Sequence, residues 1–333
     1  MKETTIRALR KTLTSKTIPV AMGVVLTFSP WLAHANIFGE GRILGTGGVT
    51  TVSGAAGGGI VPWALIGGYG DNEQIGYTAF YTNLATSNYL LNAYGGSVGI
   101  DNRVEISLAQ QSLGLGNTAN FLDMELGEPA GSNVPLQDGT DLTQDIVGLK
   151  VRLFGNAIYQ QNTWLPQVAF GVQYHRNHNV GLGGSANLLG VLGAKSNGTS
   201  YYLAATKVWL DGLWGHTTLL DVDVDATRAN QNGLLGFEGI QNTRYHYEPE
   251  VSAGIFLNRR VVLGGEYRAM PQNQLLGDNA TGNAISQTNA WKDLYVAYIP
   301  NKNFSITVAY AMLGHVATLN NQSGLYTSVT ASF

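Results

Sequence analysis

From Arg103 to Gln111 two kinds of residue alternate along the chain. Arg103, Glu105, Ser107, Ala109 and Gln111 fall on one face, and Val104, Ile106, Leu108 and Gln110 on the other. Only an extended strand, whose successive side chains point to opposite sides, turns a period of two into an apolar and a polar face. The same pattern recurs. Val147, Leu149, Val151 and Leu153 interleave with Gly148, Lys150 and Arg152, and Val168, Phe170, Val172 and Tyr174 with Gln167, Ala169, Gly171, Gln173 and His175. Tyr245, Tyr247, Val251, Ala253, Ile255 and Leu257 oppose Arg244, His246, Glu248, Glu250, Ser252 and Gly254, and Phe304, Ile306, Val308, Tyr310 and Met312 oppose Ser305, Thr307, Ala309 and Ala311.

The connections between these strands alternate in length. Short turns fall at Asp71-Asn72, Asp101-Asn102, Gly155 to Thr163, Asp211-Gly212, Asn258-Arg259 and Pro300-Asn301-Lys302. Between them lie Gly-, Asn- and Ser-rich loops at about 85–88, 113–143, 176–199, 229–243, 271–290 and 316–323. Short turns at one end and long loops at the other characterise outer-membrane barrels, with the short set facing the periplasm. The pattern therefore predicts an all-β fold, a transmembrane antiparallel up-and-down barrel. Thirteen strands can be counted from Ile60 to Phe333. A further one over Arg42–Ser53 gives fourteen, an even number with both termini periplasmic. The alternative is twelve wall strands with Gly39–Gly59 as an internal plug, since the glycines there weaken a strand.

The last strand places Leu325, Thr327, Val329, Ala331 and Phe333 on its outward face and Tyr326, Ser328, Thr330 and Ser332 on its lumenal face. On this reading Lys is costly at Val329 and much better tolerated at Ser328. An aromatic carboxy terminus on an amphipathic strand resembles the signal by which the barrel-assembly machinery recognises its clients, which makes Phe333 the expected assembly signal.

The other end of the chain has a different character. Lys2, Arg7, Arg10, Lys11 and Lys16 precede an apolar stretch from Thr17 to Leu32, and Ala33-His34-Ala35 follows. A basic region, a short apolar core and small residues two apart predict a secretory signal peptide over 1–35, leaving 36–333 as the barrel. The apolar run contains Pro19 and Pro30 and falls short of the roughly 20 residues that a spanning helix requires. After Ala35 no run of 18 apolar residues occurs, so a membrane location would have to be met by a closed barrel.

Composition sharpens this. The chain holds 43 glycines and 16 tyrosines with only 12% charged residues. Removing residues 1–35 takes five of the 19 Lys and Arg and one of the 22 Asp and Glu, leaving 14 against 21, a net charge of −7. An acidic chain without clustered Lys and Arg excludes nucleic acid as an expected partner. The absence of cysteine excludes disulfides, thiolate metal sites and a cysteine nucleophile.

Several blocks carry a family resemblance. They include Gly54-Ala55-Ala56-Gly57-Gly58-Gly59, Pro62-Trp63-Ala64-Leu65-Ile66-Gly67-Gly68-Tyr69-Gly70, Gln144-Asp145-Ile146-Val147-Gly148-Leu149-Lys150-Val151-Arg152, Trp164-Leu165-Pro166-Gln167, Ala229-Asn230-Gln231, Gly264-Gly265-Glu266-Tyr267-Arg268-Ala269 and Ala297-Tyr298-Ile299-Pro300-Asn301-Lys302. Here, and over nearly all of residues 36–333, the chain resembles a family of Gram-negative outer-membrane proteins known as a domain of unknown function. The resemblance implies the barrel architecture and carries no activity.

Motifs that suggest catalysis or metal binding dissolve in this context. Gly95-Gly96-Ser97-Val98-Gly99 matches the GxSxG nucleophile pattern, but it lies within an amphipathic strand and not on the strand-to-helix turn that exposes a nucleophile. Asp221, Asp223 and Asp225 begin like a calcium loop, yet Ala226 stands where glycine is needed and Asn232 where a bidentate Glu is needed. On a strand they form one acidic row, paired with Arg or Lys across the barrel. His175 and His178 fall on opposite faces of a strand, and with His216 and His246 they make no ligand spacing. Gly114-Leu115-Gly116 lacks the setting of a phosphate loop. No metal, cofactor or enzyme activity is expected.

The polar faces supply the candidate lumen lining: Arg103, Glu105, Lys150, Arg152, Asp221, Asp223, Asp225, Arg244, Glu248, Glu250, Glu266 and Arg268, with Lys292 beside them. About fourteen strands enclose more space than side chains alone fill. The leading expectation is thus an outer-membrane passive channel or substrate-specific diffusion protein for a small solute. The other expectation is a closed structural or surface-interaction barrel. Outer-membrane lipid and the assembly machinery are the remaining partners expected.

Overall fold

The computed structural model describes residues 45, 47–71, 73–114, 141–178, 188–240, 242–273, 275, 287–317 and 319–333. The expected signal peptide, and most of the expected loop 113–143, lie outside the described residues.

Twelve strands form one closed sheet: β1 (Ile75–Thr86), β2 (Leu90–Ile100), β3 (Val104–Gly114), β4 (Asp141–Phe154), β5 (Gln167–His178), β6 (Asn197–Trp209), β7 (Thr218–Thr227), β8 (His246–Phe256), β9 (Val261–Arg268), β10 (Trp291–Asn301), β11 (Phe304–Val316) and β12 (Leu319–Ser332). Each pairs antiparallel with its neighbours in sequence, and β1 closes on β12 from Thr78↔Ser332 to Thr86↔Gly324. This corrects the expected fourteen to twelve. The described residues of the expected strand Arg42–Ser53, and the strand expected to begin at Ile60, are not wall, because β1 and β12 already satisfy each other along nine paired positions and leave no edge to extend.

The alternation read from the sequence holds on the wall. In β3, Glu105, Ser107, Ala109 and Gln111 are buried inside, while Ile106 and Leu108 are 47% and 59% exposed outside. Val147 and Leu149, Phe170 and Tyr174, and Ile306, Val308 and Tyr310 continue the exposed apolar belt. One difference lies between β11 and β12. The expected loop 316–323 is mostly strand, because register shifts at Gly314 and Val316 and positive φ at Ala317 and Asn321 make the reversal within a few residues.

Gly45 and residues 47–71 lie inside the barrel as a plug. Thr50 bridges Ala56 and Gly57 bridges Pro62, and Val52, Ile60, Val61, Trp63 and Leu65 join the buried cluster against wall residues such as Tyr326, Ala109 and Leu219. The core of the molecule therefore sits in the lumen. The plug alternative gave Gly39–Gly59, of which residues 39–44 and 46 lie outside the described residues; the structure carries the plug on to Asp71.

Candidate functional site: the plugged lumen

Two wall stations hold the plug by its backbone. At the first, Lys150 of β4 and Glu105 of β3, Cα partners across the sheet, pair at 3.2 Å. Lys150 Nζ donates to the carbonyls of Ala56 (2.9 Å) and Leu65 (2.7 Å), and Glu105 accepts the N–H groups of Ala56 (3.1 Å) and Gly67 (2.7 Å). At the second, Glu266 Oε2 of β9 accepts the N–H groups of Gly59 (2.7 Å) and Ile60 (2.8 Å), while Arg268 donates to Ile60 O at 2.9 Å. Each buried charge thus meets a peptide group of the plug, which offsets part of the cost of removing both from water.

Neutral side chains complete the attachment. Gln111 Nε2 donates to Val52 O (2.9 Å), Gln167 Nε2 to Ala64 O (2.6 Å), Ser305 Oγ to Gly48 O, and Thr206 Oγ1 accepts from Ala64 N–H (2.7 Å). The hydroxyls of Thr50 and Thr330 lie 3.3 Å apart. The glycines allow the close approach: a Cβ on Gly58 would fall 1.7 Å from Glu266 Oε1, and one on wall residue Gly99 would fall 2.3 Å from Gly67 O. Two of the spaces left inside the wall, against the plug and against residues 228–240 (the cap), are apolar cavities of about 30 and 20 Å³. Spaces of this size have room for about one or two waters, but their apolar lining offers a water few partners.

The long-loop end is also filled. Residues 228–240 turn back into the mouth, with Asn230, Gln231, Asn232, Leu234, Leu235 and Phe237 buried. Asn177 donates to Gly233 O (2.7 Å), Gln231 to His315 O (3.1 Å), and the Phe237 ring lies 5.5 Å from that of His175. Asn232 Nδ2 reaches Ser53 Oγ of the plug at 3.4 Å, so cap and plug meet inside the lumen.

Of the twelve candidate lining residues, the structure brings Glu105, Lys150, Asp221, Asp223, Asp225, Glu250, Glu266 and Arg268 into the interior, all buried. Arg268 pairs with Asp225 at 3.1 Å and with Glu250 at 2.9 Å. Glu248 is half-buried towards the long-loop end, 4.0 Å from His246, and Arg152 is half-buried at the short-turn end. Arg103 and Arg244 are exposed and lie outside the lining. Both precede their strands: Arg103 follows the Asp101-Asn102 turn, whose residues have positive φ, and Arg244 belongs to the loop before β8. Strand parity says nothing about residues off the strand.

Lys292 points outward, 5.8 Å from the centre of the Tyr267 ring, and its neighbour Asp293 is the residue that enters the lumen. The outward run Leu294, Val296 and Tyr298 carries that parity and could have identified Asp293 from sequence. Lys207 was also missed. It is buried near the short-turn end, where it donates to Gln160 O (2.6 Å) and Leu165 O (3.2 Å) and holds the β4–β5 connection. Ser97 is a wall residue sharing a 2.8 Å hydrogen bond with Thr78. His175 is buried against Gln144 (3.0 Å), and among the described residues no group of His, Asp or Glu is arranged to hold a metal ion.

A family model described as "Protein of unknown function (DUF3034)" matches residues 46–330. No curated protein matches the chain. Among solved structures, a KdgM porin shares 9% identity at a TM-score of 0.45, over 77% of this chain and 99% of the porin. The outer membrane protein Omp33 of Acinetobacter baumannii shares 6% at 0.42, over 77% and 97%, and a NanC porin shares 11% at 0.38, over 77% and 98%.

Proposed function

The chain belongs to the DUF3034 family, whose description assigns no activity, and from its own geometry we propose an outer-membrane channel that its N-terminal plug holds closed, with passage of a small solute following displacement of that plug. The observation that carries this reading is the way the plug is held. Charged and polar wall side chains grip it through peptide groups, at Glu105, Lys150, Glu266 and Arg268. A permanent filler is served as well by apolar packing, whereas charged groups that hold the plug only through its peptide groups can be rehydrated in a polar barrel interior when it leaves. The exposed apolar belt supports contact with outer-membrane lipid.

On this reading residues 1–35 direct export, the assembly machinery recognises the strand ending at Phe333, and neither nucleic acid nor catalysis has a part. A covalent lock tests it. The chain has no cysteine, and Thr50 and Thr330 meet at their hydroxyls, so Thr50→Cys with Thr330→Cys ties plug to wall. In planar bilayers the reduced double variant is expected to show openings that oxidation abolishes and dithiothreitol restores. Equal conductance in both redox states, or silence in both from a correctly folded sample, overturns the gated-channel reading; silence in both favours the closed structural barrel.

A further inference from the structure

The wall behind the plug is charged unevenly. Across β7 to β10 the sheet register sets Asp221 beside Ser252, Ser252 beside Glu266, and Glu266 beside Asp293; in the adjoining row Asp223 faces Glu250, which faces Arg268. Six buried carboxylates therefore form a continuous arc, counting Asp225 with Asp221, Asp223, Glu250, Glu266 and Asp293. Arg268 is engaged by Asp225 and Glu250. Lys150 is engaged by Glu105, and Lys207 by the carbonyls of the β4–β5 connection.

Asp223 supplies an independent observation. It is 1% exposed, and neither of its carboxylate oxygens is met by a side-chain donor, the adjacent Val224 N–H being its one backbone contact. The described plug residues do not compensate, since residues 47–71 contain no Lys or Arg. What the plug does supply is the pair of N–H groups from Gly59 and Ile60 on Glu266. When the plug leaves, Glu266 loses both donors and joins Asp221, Asp223 and Asp293 as acids that form no close ion pair among the described residues, Lys150 and Arg268 being held by Glu105, Asp225 and Glu250.

We infer that the opened lumen selects cationic solutes, with Asp221, Asp223, Glu266 and Asp293 as the residues that determine selectivity. Like charges on neighbouring strands destabilise a sheet, so the arc calls for positive charge in front of it. Rows of carboxylates lining a pore select cations in the same way. The plug both fills the passage and, through its peptide N–H groups, masks part of the arc. The inference rests on the gated-channel reading and names the class of solute that the channel passes.

The test is the zero-current potential of the full chain across a planar bilayer in a potassium chloride gradient, measured during openings. A potential of the sign for potassium over chloride is expected. Asp223→Asn should move it towards zero, and the combined Asp221→Asn, Asp223→Asn, Glu266→Gln and Asp293→Asn should move it several-fold further. Heat-modifiable migration verifies that each barrel is folded; if the combined variant does not assemble, the isosteric single change carries the comparison. Openings with no selectivity, with preference for chloride, or with a potential that the folded variants leave unchanged overturn the inference and spare the gated channel. Silence in every state overturns both.

Discussion

Lys150 and Glu105 form an ion pair at 3.2 Å in which each side chain is 1% exposed, and both are also bound to the plug. Lys150→Met leaves Glu105 charged and buried beside two carbonyls that have lost their donor. Breaking a buried pair from one side costs about 3–5 kcal/mol. The expected result is a lower temperature for loss of heat-modifiable migration, with poorer cross-linking of the Thr50→Cys and Thr330→Cys pair. Adding Glu105→Gln should recover part of the thermal loss but not the cross-linking, because Ala56 O and Leu65 O remain without Lys150.

Gly99 tests the fit of plug to wall from the other side. Its missing side chain admits the Gly67 carbonyl, and a Cβ there would stand 2.3 Å from that oxygen, a backbone atom with no rotamer to change. Gly99→Ala is expected to cost about 1–3 kcal/mol as overpacking. It should also raise the frequency of openings in bilayers. A variant with wild-type stability and wild-type opening frequency would show that the plug is not seated against β2.

Val329 and Ser328 share a strand and point opposite ways, but their contrast differs from that expected of an open pore. Val329 is exposed in the apolar belt, and Val329→Lys should cost about 2–4 kcal/mol if it lies at the bilayer midplane. Ser328 is 4% exposed and accepts a hydrogen bond from Thr82 at 2.8 Å. Ser328→Lys therefore places an ammonium in a packed interior and should be at least as damaging as Val329→Lys. Denaturation of the two variants side by side checks this; a well-tolerated Ser328→Lys would mean that the lumen beside β12 is wet.

Phe333 stacks on Tyr77 with ring centres 5.0 Å apart, and its carbonyl accepts the N–H groups of Tyr69 and Tyr77, each at 3.0 Å. Phe333→Ala keeps the peptide contacts and removes the stack, a loss of about 0.5–1.5 kcal/mol beyond buried area. If the aromatic also serves as the assembly signal, the yield of barrel in the outer membrane should fall by much more than that stability difference explains, while refolding in detergent stays near wild type. Equal losses in both assays would restrict Phe333 to packing.

The sequence by itself determined the wall. A period of two is a local property, so Ile106 and Leu108 outside against Glu105 and Ser107 inside can be read without knowing what either face meets. Alternating connection lengths likewise placed most turns and long loops at opposite ends. The tertiary structure alone decided how many strands close the barrel and what fills it, because closure is a pairing of Thr78–Thr86 with residues 324–332, at the far end of the chain. The segment 45–71 has no periodicity that separates a weak, glycine-rich strand from a plug. Its fate depends on partners 38 residues away at Glu105 and 208 residues away at Arg268. Asp293 and Lys292 fall on the legible side of this division: the outward parity of Leu294, Val296 and Tyr298 says which of the two enters the lumen, whereas only the register of β10 against β9 sets Asp293 beside Glu266.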